Sequence, residues 1–157
     1  MPSVRVAAAP DAAACVEIVA GLEDFFTDDV PDKVRSDLRD HGGWVIEDAG
    51  EVVGFVIAER RGARAAEILW AAVAADRRGG GLGTRLIDHA LDELGADGVQ
   101  IVEVKTLDAS ADYAPYDASR AFWSARGFVQ FDIIDPLPDW PPGNPAALLA
   151  VALAPTR

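Results

Sequence analysis

The stretch from Glu67 to Gly95 constrains the fold more than any other part of the chain. It runs Glu-Ile-Leu-Trp-Ala-Ala-Val to Val73, continues through Arg77-Arg78 into Gly79-Gly80-Gly81-Leu82-Gly83-Thr84, and ends with Arg85-Leu-Ile-Asp-His-Ala-Leu-Asp-Glu-Leu-Gly95. A short apolar run of strand length meets a basic glycine turn and then an amphipathic helical pattern, with no residue to spare between them. That order builds an anion site. Glycines without Cβ let main-chain N–H groups converge on one ligand, and the first turn of the helix brings N–H groups with no partner of their own. The helix end adds about half a positive charge. Arg77, Arg78 and Arg85 surround the turn with guanidinium groups, so a phosphate or diphosphate is the expected ligand.

What the turn lacks narrows the choice. A nucleotide-hydrolysing P-loop needs Lys-Ser or Lys-Thr after its last glycine, whereas Gly83 is followed by Thr84-Arg85. A dinucleotide fingerprint needs Gly-x-Gly-x-x-Gly; Gly79 and Gly81 fit the first two places, but the third falls on Thr84. Glu103 lies at a suitable distance for the acidic partner of that fingerprint. The turn nevertheless follows at least three expected strands, an odd position for a first nucleotide-binding unit.

The pattern that does fit is Arg78-x-x-Gly81-x-Gly83, with Val73 five residues before it. It resembles the acetyl-CoA signature of the Gcn5-related N-acetyltransferase (GNAT) family, Arg/Gln-x-x-Gly-x-Gly/Ala. Upstream, Glu67-Ile68-Leu69 and Val73 resemble that family's central strand with its acidic residue in place. Downstream, Phe122-Trp123-Ser124-Ala125-Arg126-Gly127-Phe128 is similar to its second motif, an aromatic pair on a helix followed by Gly-Phe. The likeness covers roughly Val45 to the C-terminus.

At 157 residues the chain is expected to form a single domain over 1–157 with a substantial core. No window approaches ~18 unbroken apolar residues, and the start lacks the basic-then-apolar pattern of a secretory signal; a cytoplasmic protein away from membranes is expected. Cys15, the only cysteine, lies in an alanine-rich helical run and is expected to be a buried, inert thiol. The net charge of −12 argues against sequence-independent nucleic-acid binding, which needs surplus lysine and arginine. It suits a cationic small partner, and equally a surface kept soluble by repulsion. With only His41 and His89 as histidines and no acidic cluster spaced around them, no metal site is expected.

Taken in order, Val4-Arg5-Val6 alternates as a first strand, and Pro10 with Asp11 opens a helix expected from about Ala12 to Phe26. Asp28-Asp29 breaks it, and Pro31 starts a second helix that stops at Gly42-Gly43. Trp44 to Glu47 and Val52 to Ala58 read as a hairpin, followed by a strand from Ala65 to Val73. The helix from Leu82 to Leu94 turns Leu82, Leu86, Ile87, Ala90, Leu91 and Leu94 toward a sheet. Val99 to Lys105 is the next strand, parallel to the one before the helix. A helix from Tyr116 or Asp117 to Arg126, a strand from Phe128 to Ile134, a proline-rich loop from Pro136 to Pro145 containing Trp140, and a last apolar strand from Ala146 to Leu153 complete the chain.

The resemblance implies a mixed α/β (α+β) fold: a mostly antiparallel sheet of six to seven strands, a parallel pair splayed at the cofactor cleft, and about four flanking helices. It implies acetyl-CoA as cosubstrate and direct transfer of its acetyl group, in a ternary complex, to a primary amine of a small molecule or peptide. Cofactor contacts fall on Ala72, Val73, Arg78, Gly79, Gly80, Gly81, Gly83, Thr84 and Trp123, with the oxyanion donor among the main-chain N–H groups from Trp70 to Val73. Glu67 is the candidate base. Strand alternation places Leu69, Ala71 and Val73 on its face, so apolar surroundings are expected to raise its pKa; a structural pair with Arg64 is the other reading. The family commonly has a tyrosine acid four residues before Gly-Phe, where this chain has Trp123, whose indole N–H is not an acid at neutral pH. Tyr116, Tyr113 or a water could substitute. Glu23, Asp24, Asp28 and Asp29 could meet the amine or form a solvated helix end. The Trp123 departure keeps a non-catalytic acyl-CoA-binding module as the rival reading, and the resemblance leaves a homodimer through an exposed apolar final strand open.

Overall fold

Asp48-Ala49-Gly50-Glu51 sets the first long-range pairing. Ala49 and Gly50 both take positive φ, +53° and +79°, which is the two-residue hairpin turn whose twist matches the flanking strands. The computed structural model describes residues 1–154; the last three, which the expected single domain included, lie outside the described residues. Its strands are β1 (Ser3–Val6), β2 (Gly43–Asp48), β3 (Glu51–Arg60), β4 (Ala65–Val73), β5 (Ile101–Leu107), β6 (Val129–Ile134) and β7 (Ala146–Ala152). They form one seven-stranded sheet in the order β1-β2-β3-β4-β5-β7-β6. β4 and β5 are the parallel pair, and every other neighbouring pair is antiparallel.

Four helices cover the sheet: α1 (Ala12–Ala20), α2 (Val30–His41), α3 (Leu82–Ala96) and α4 (Pro115–Ala125). The apolar stripe of α3 buries Leu82, Leu86, Ile87, Ala90 and Leu94 against Val56, Ile68, Val102 and Val104. Each such side chain stabilises the fold by about 1.5–3 kcal/mol relative to exposure. On the opposite face Cys15, Val19, Val34 and Leu38 of α1 and α2 pack on Val45, Phe55 and Ile57. Burial pushes the Cys15 thiol up to about 12, so little of it is thiolate at neutral pH and it is inert as the sequence suggested. No helix among the described residues is long and apolar enough to cross a membrane.

Three expectations need correction. The first helix stops at Ala20, because Gly21 caps it and residues Leu22 to Phe26 form a separate hydrogen-bonded turn that carries Phe25 and Phe26 inward. β5 starts at Ile101, two residues late, since Val99 is spent on capping α3 through its N–H to the Leu94 carbonyl. The apolar final strand, β7, is no edge: it lies between β5 and β6, and β6 is the edge, with Val129, Phe131 and Ile133 exposed.

Candidate active site

The parallel pairing of β4 with β5 runs only from Ala65↔Ile101 to Ile68↔Val104. β4 continues to Val73 and β5 to Leu107, so past that point the facing main-chain groups of both strands have no strand partner across the gap. β3 shifts register against β4 at the same level: Ile57 pairs with Trp70 and Ala58 with Ile68, leaving Leu69 as an extra residue. A bulge of this kind bends the strand and re-aims the side chains beyond it. The consequence overturns the simple alternation expected around Glu67. Ala71 and Val73 pack with the α3 core, while Leu69, Trp70 and Ala72 pack with the α1–α2 core. Glu67 pairs with Glu59 and therefore shares the α1–α2 face with Trp70 and Ala72 rather than with Ala71 and Val73.

The glycine turn joins the end of β4 to α3. Gly81, the residue before α3, sits at φ +79°, a left-handed conformation that suits glycine. Gly83 contributes through close packing instead. A Cβ there would lie 3.4 Å from the Phe122 ring and 3.7 Å from Val73, so the helix start is seated directly on α4 and the end of β4. Among the described residues, the main-chain N–H groups from Gly79 to Thr84 donate to no protein acceptor; the next, Arg85, donates to the Gly81 carbonyl. The arginines divide. Arg77 is committed to Asp48 at 2.8 Å and Glu51 at 3.6 Å, so it braces the β2–β3 hairpin and is not the anion contact expected of it. Arg78 and Arg85 are exposed, and the Arg78 guanidinium rests over the Phe25 ring, 4.8 Å from its centroid.

Glu67 is nearly buried, with 7% of its side chain exposed, but its surroundings are not apolar. Its Oε1 accepts from Arg61 Nη2 at 2.6 Å and from Lys105 Nζ at 3.2 Å. Arg64, the partner considered from the sequence, offers its main-chain carbonyl to Gln100 and Ile101 instead. The register explains the arrangement. Glu59, Glu67 and Glu103 stand side by side on β3, β4 and β5, Arg61 bridges Glu59 and Glu67, and Lys105 bridges Glu67 and Glu103. Carboxylates and cations thus alternate along a row that crosses three strands, with Glu67 at its centre.

A cleft of about 1340 Å³ opens where β4 and β5 part, and Glu67, Ala72, Val73, Arg78, Tyr116 and Trp123 all line it. Gly79, Gly80, Gly81, Gly83 and Thr84 lie outside its lining, one turn beyond Val73. Trp123 is a core residue, edge-on to Phe122 and Phe128, that shows the cleft only a part of its surface. Tyr116 donates its hydroxyl proton to the Phe25 carbonyl at 2.6 Å, and Tyr113 donates to the Asp24 carbonyl at 2.7 Å. Burial pushes Tyr116 up to about 12. Of the acidic residues considered for the amine, Glu23, Asp24 and Asp29 line the cleft and Asp28 does not. Asp29 is tied to Lys33 and Asp37 accepts from Trp70 Nε1, so the α2 side of the cleft is polar and already cross-linked. Leu137 to Pro141 of the proline-rich loop close the far side, Trp140 among them.

Sequence reasoning missed Arg61, Lys105 and Phe25. The first two were legible in principle, since both lie two residues from a glutamate on a strand and so on its face. Phe25 was hidden by the expectation that the first helix ran through it.

A parallel strand pair that parts over a cleft, followed by a glycine turn with unused N–H groups, defines an acyl-CoA-dependent acetyltransferase architecture. The model of the Acetyltransferase (GNAT) family matches residues 15–128, and the chain belongs to that family. Its members use acetyl-CoA, and membership decides for an enzyme over a binding module. Solved structures agree on the fold. A protein assigned to the GNAT family from Desulfovibrio desulfuricans superposes with a TM-score of 0.86 at 16% identity, covering 98% of this chain and 100% of that one. The ribosomal-protein-S18-alanine N-acetyltransferase of Escherichia coli gives 0.80 at 20% identity over 100% and 97%. A GNAT family acetyltransferase from Elizabethkingia anophelis with acetyl-CoA bound gives 0.73 at 16% identity over 97% and 98%. No curated protein matches the sequence.

Proposed function

We propose that this chain carries the acetyl group of acetyl-CoA directly to a primary amine of a small molecule or peptide, within one ternary complex. The observation that carries the reading is the row of N–H groups from Gly79 to Thr84 without acceptors, set beside strands that separate after Ile68 and Val104. The N–H groups, joined by Arg78 and Arg85, suit a diphosphate. The gap between Leu69–Val73 and Lys105–Leu107 suits an extended arm with amide groups, because both strand edges offer unpaired main-chain partners there. Acetyl-CoA supplies an activated thioester at the end of that arm.

The protein's own groups do the rest. Main-chain N–H groups between Trp70 and Val73 receive the carbonyl oxygen as charge develops on it. Glu67, which lines the cleft, takes the proton of the incoming ammonium directly or through water. Tyr116 keeps its proton at neutral pH and returns one to the departing sulfur once its bond to Phe25 breaks. Acidic residues on the α1–α2 side, Glu23, Asp24 and Asp32 among them, favour a cationic acceptor. The Escherichia coli neighbour, named for an alanine of a ribosomal protein, supports an amine on a protein as one class. The exposed apolar side chains of the β6 edge support a homodimer as part of the same proposal.

Thiol release from acetyl-CoA, followed with polyamines, aminoglycosides, amino-acid amines and peptide N-termini in turn, tests the reading. One class should accelerate release well above the amine-free rate. If none does while coenzyme A still binds, amine transfer is refuted. Tyr116→Phe is expected to lower kcat by ~10²-fold with acetyl-CoA affinity retained, the loss typical of a missing general acid. An unchanged kcat would assign the proton to water and leave Tyr116 as an anchor of the Leu22–Phe26 turn.

A further inference from the structure

Lysine is scarce in this chain: of fourteen lysines and arginines only Lys33 and Lys105 are lysines, and both line the cleft. Their placements differ. Lys33 is paired with Asp29 one helical turn away on α2 and is 47% exposed. Lys105 is the first β5 residue beyond the last β4–β5 pair, so it stands where the gap opens. Its Nζ lies 3.2 Å from Glu67, its side chain is 26% exposed, and its four-carbon stem lets the amine move without moving the strand. A primary amine therefore already touches the carboxylate proposed to deprotonate acceptor amines.

We propose that Lys105 is itself an acetyl acceptor, so that the chain modifies its own cleft when no external amine is present; this rests on the acetyl-CoA reading above. The ammonium of Lys105 gives a proton to Glu67, and the neutral nitrogen attacks the thioester carbonyl. A C–N bond forms, the C–S bond breaks, and the sulfur leaves as the coenzyme A thiol after taking up a proton. No oxidant or further reactant enters. The product amide carries no charge, so among the described residues Glu67 keeps Arg61 as its one paired cation and Glu103 loses its pairing with Lys105. Self-acetylation would thus change the electrostatics of the carboxylate row at its centre.

The experiment is to incubate the intact chain with acetyl-CoA and no amine, then map acetylation by mass spectrometry, with coenzyme A binding measured separately by calorimetry. Native protein should label Lys105 at least ~10-fold faster than Lys33, at a rate per molecule independent of protein concentration. The same chain unfolded in urea should label both lysines alike. Glu67→Gln should slow Lys105 labelling by ~10²-fold. Lys105→Arg should bind coenzyme A yet keep only the slow Lys33 label. Equal native labelling of the two lysines, or an unlabelled Lys105 in protein that binds coenzyme A, overturns the proposal. Absence of coenzyme A binding overturns the acetyl-CoA reading beneath it, and calorimetry tells the two failures apart.

Discussion

Glu67→Gln is expected to lower kcat by ~10²-fold or more with an acceptor amine, while acetyl-CoA affinity stays within about twofold. Glutamine keeps the shape and one acceptor oxygen of glutamate but cannot accept a proton. The row of charges determines how cleanly this substitution reports. Arg61 retains Glu59 at 3.2 Å and Lys105 retains Glu103 at 3.8 Å, so neither cation is stranded when the central carboxylate goes. Both cations also keep some exposure to water. The stability cost should therefore stay near the ~1–3 kcal/mol of one altered charged hydrogen-bond site, too little to unfold the chain. Steady-state kinetics with a saturating amine reads the effect, and a wild-type kcat in the variant would remove Glu67 from the chemistry.

Gly83→Val should have the second large effect, on binding rather than turnover. The added Cβ would stand 3.4 Å from the Phe122 ring and 3.7 Å from Val73, and the two further methyl groups have the same neighbours to displace. The Cβ alone fits at contact distance, but the two methyl groups beyond it are expected to shift the start of α3 away from α4 and with it the N–H groups between Gly79 and Thr84. Loss of two charge-assisted hydrogen bonds corresponds to ~10²-fold in coenzyme A affinity. Gly80→Ala is the matched control: its Cβ would meet only the Arg77 carbonyl at 4.0 Å, and affinity should change little. Unchanged affinity in Gly83→Val would mean that the glycine turn tolerates displacement and does not hold the ligand by its main chain.

The sequence carried the architecture because its signals were local and mutually consistent. The α3 stripe, the hairpin of Trp44 to Glu47 with Val52 to Ala58 and the glycines after Arg78 each act within a few residues, and all of them reappear in the structure. The interior of the site was harder to read, for one reason: a single extra residue. Strand alternation counted from Glu67 holds as far as Leu69 and then fails, because the bulge there is set by pairing with β3, a partner more than ten residues away. Arg61 and Lys105 could each be placed beside a glutamate two residues away, but that both converge on Glu67 depends on the register between strands, which no single-strand pattern fixes. The inward Phe25 escaped notice because Gly21 ends a helix that its apolar spacing would have continued. Arg77 and Arg78 look equivalent in sequence, and the hairpin carboxylates Asp48 and Glu51 separate them by claiming the first.

The most direct measurement compares two ligands on the unmodified chain by titration calorimetry: coenzyme A, and pantetheine, which has the same thiol arm without the diphosphate and the adenosine 3′-phosphate beyond it. If the peptide nitrogens from Gly79 to Thr84 grip the diphosphate, coenzyme A binds and pantetheine is weaker by ~10²-fold or more. Matching affinities, or no heat with coenzyme A, would contradict the account at its base.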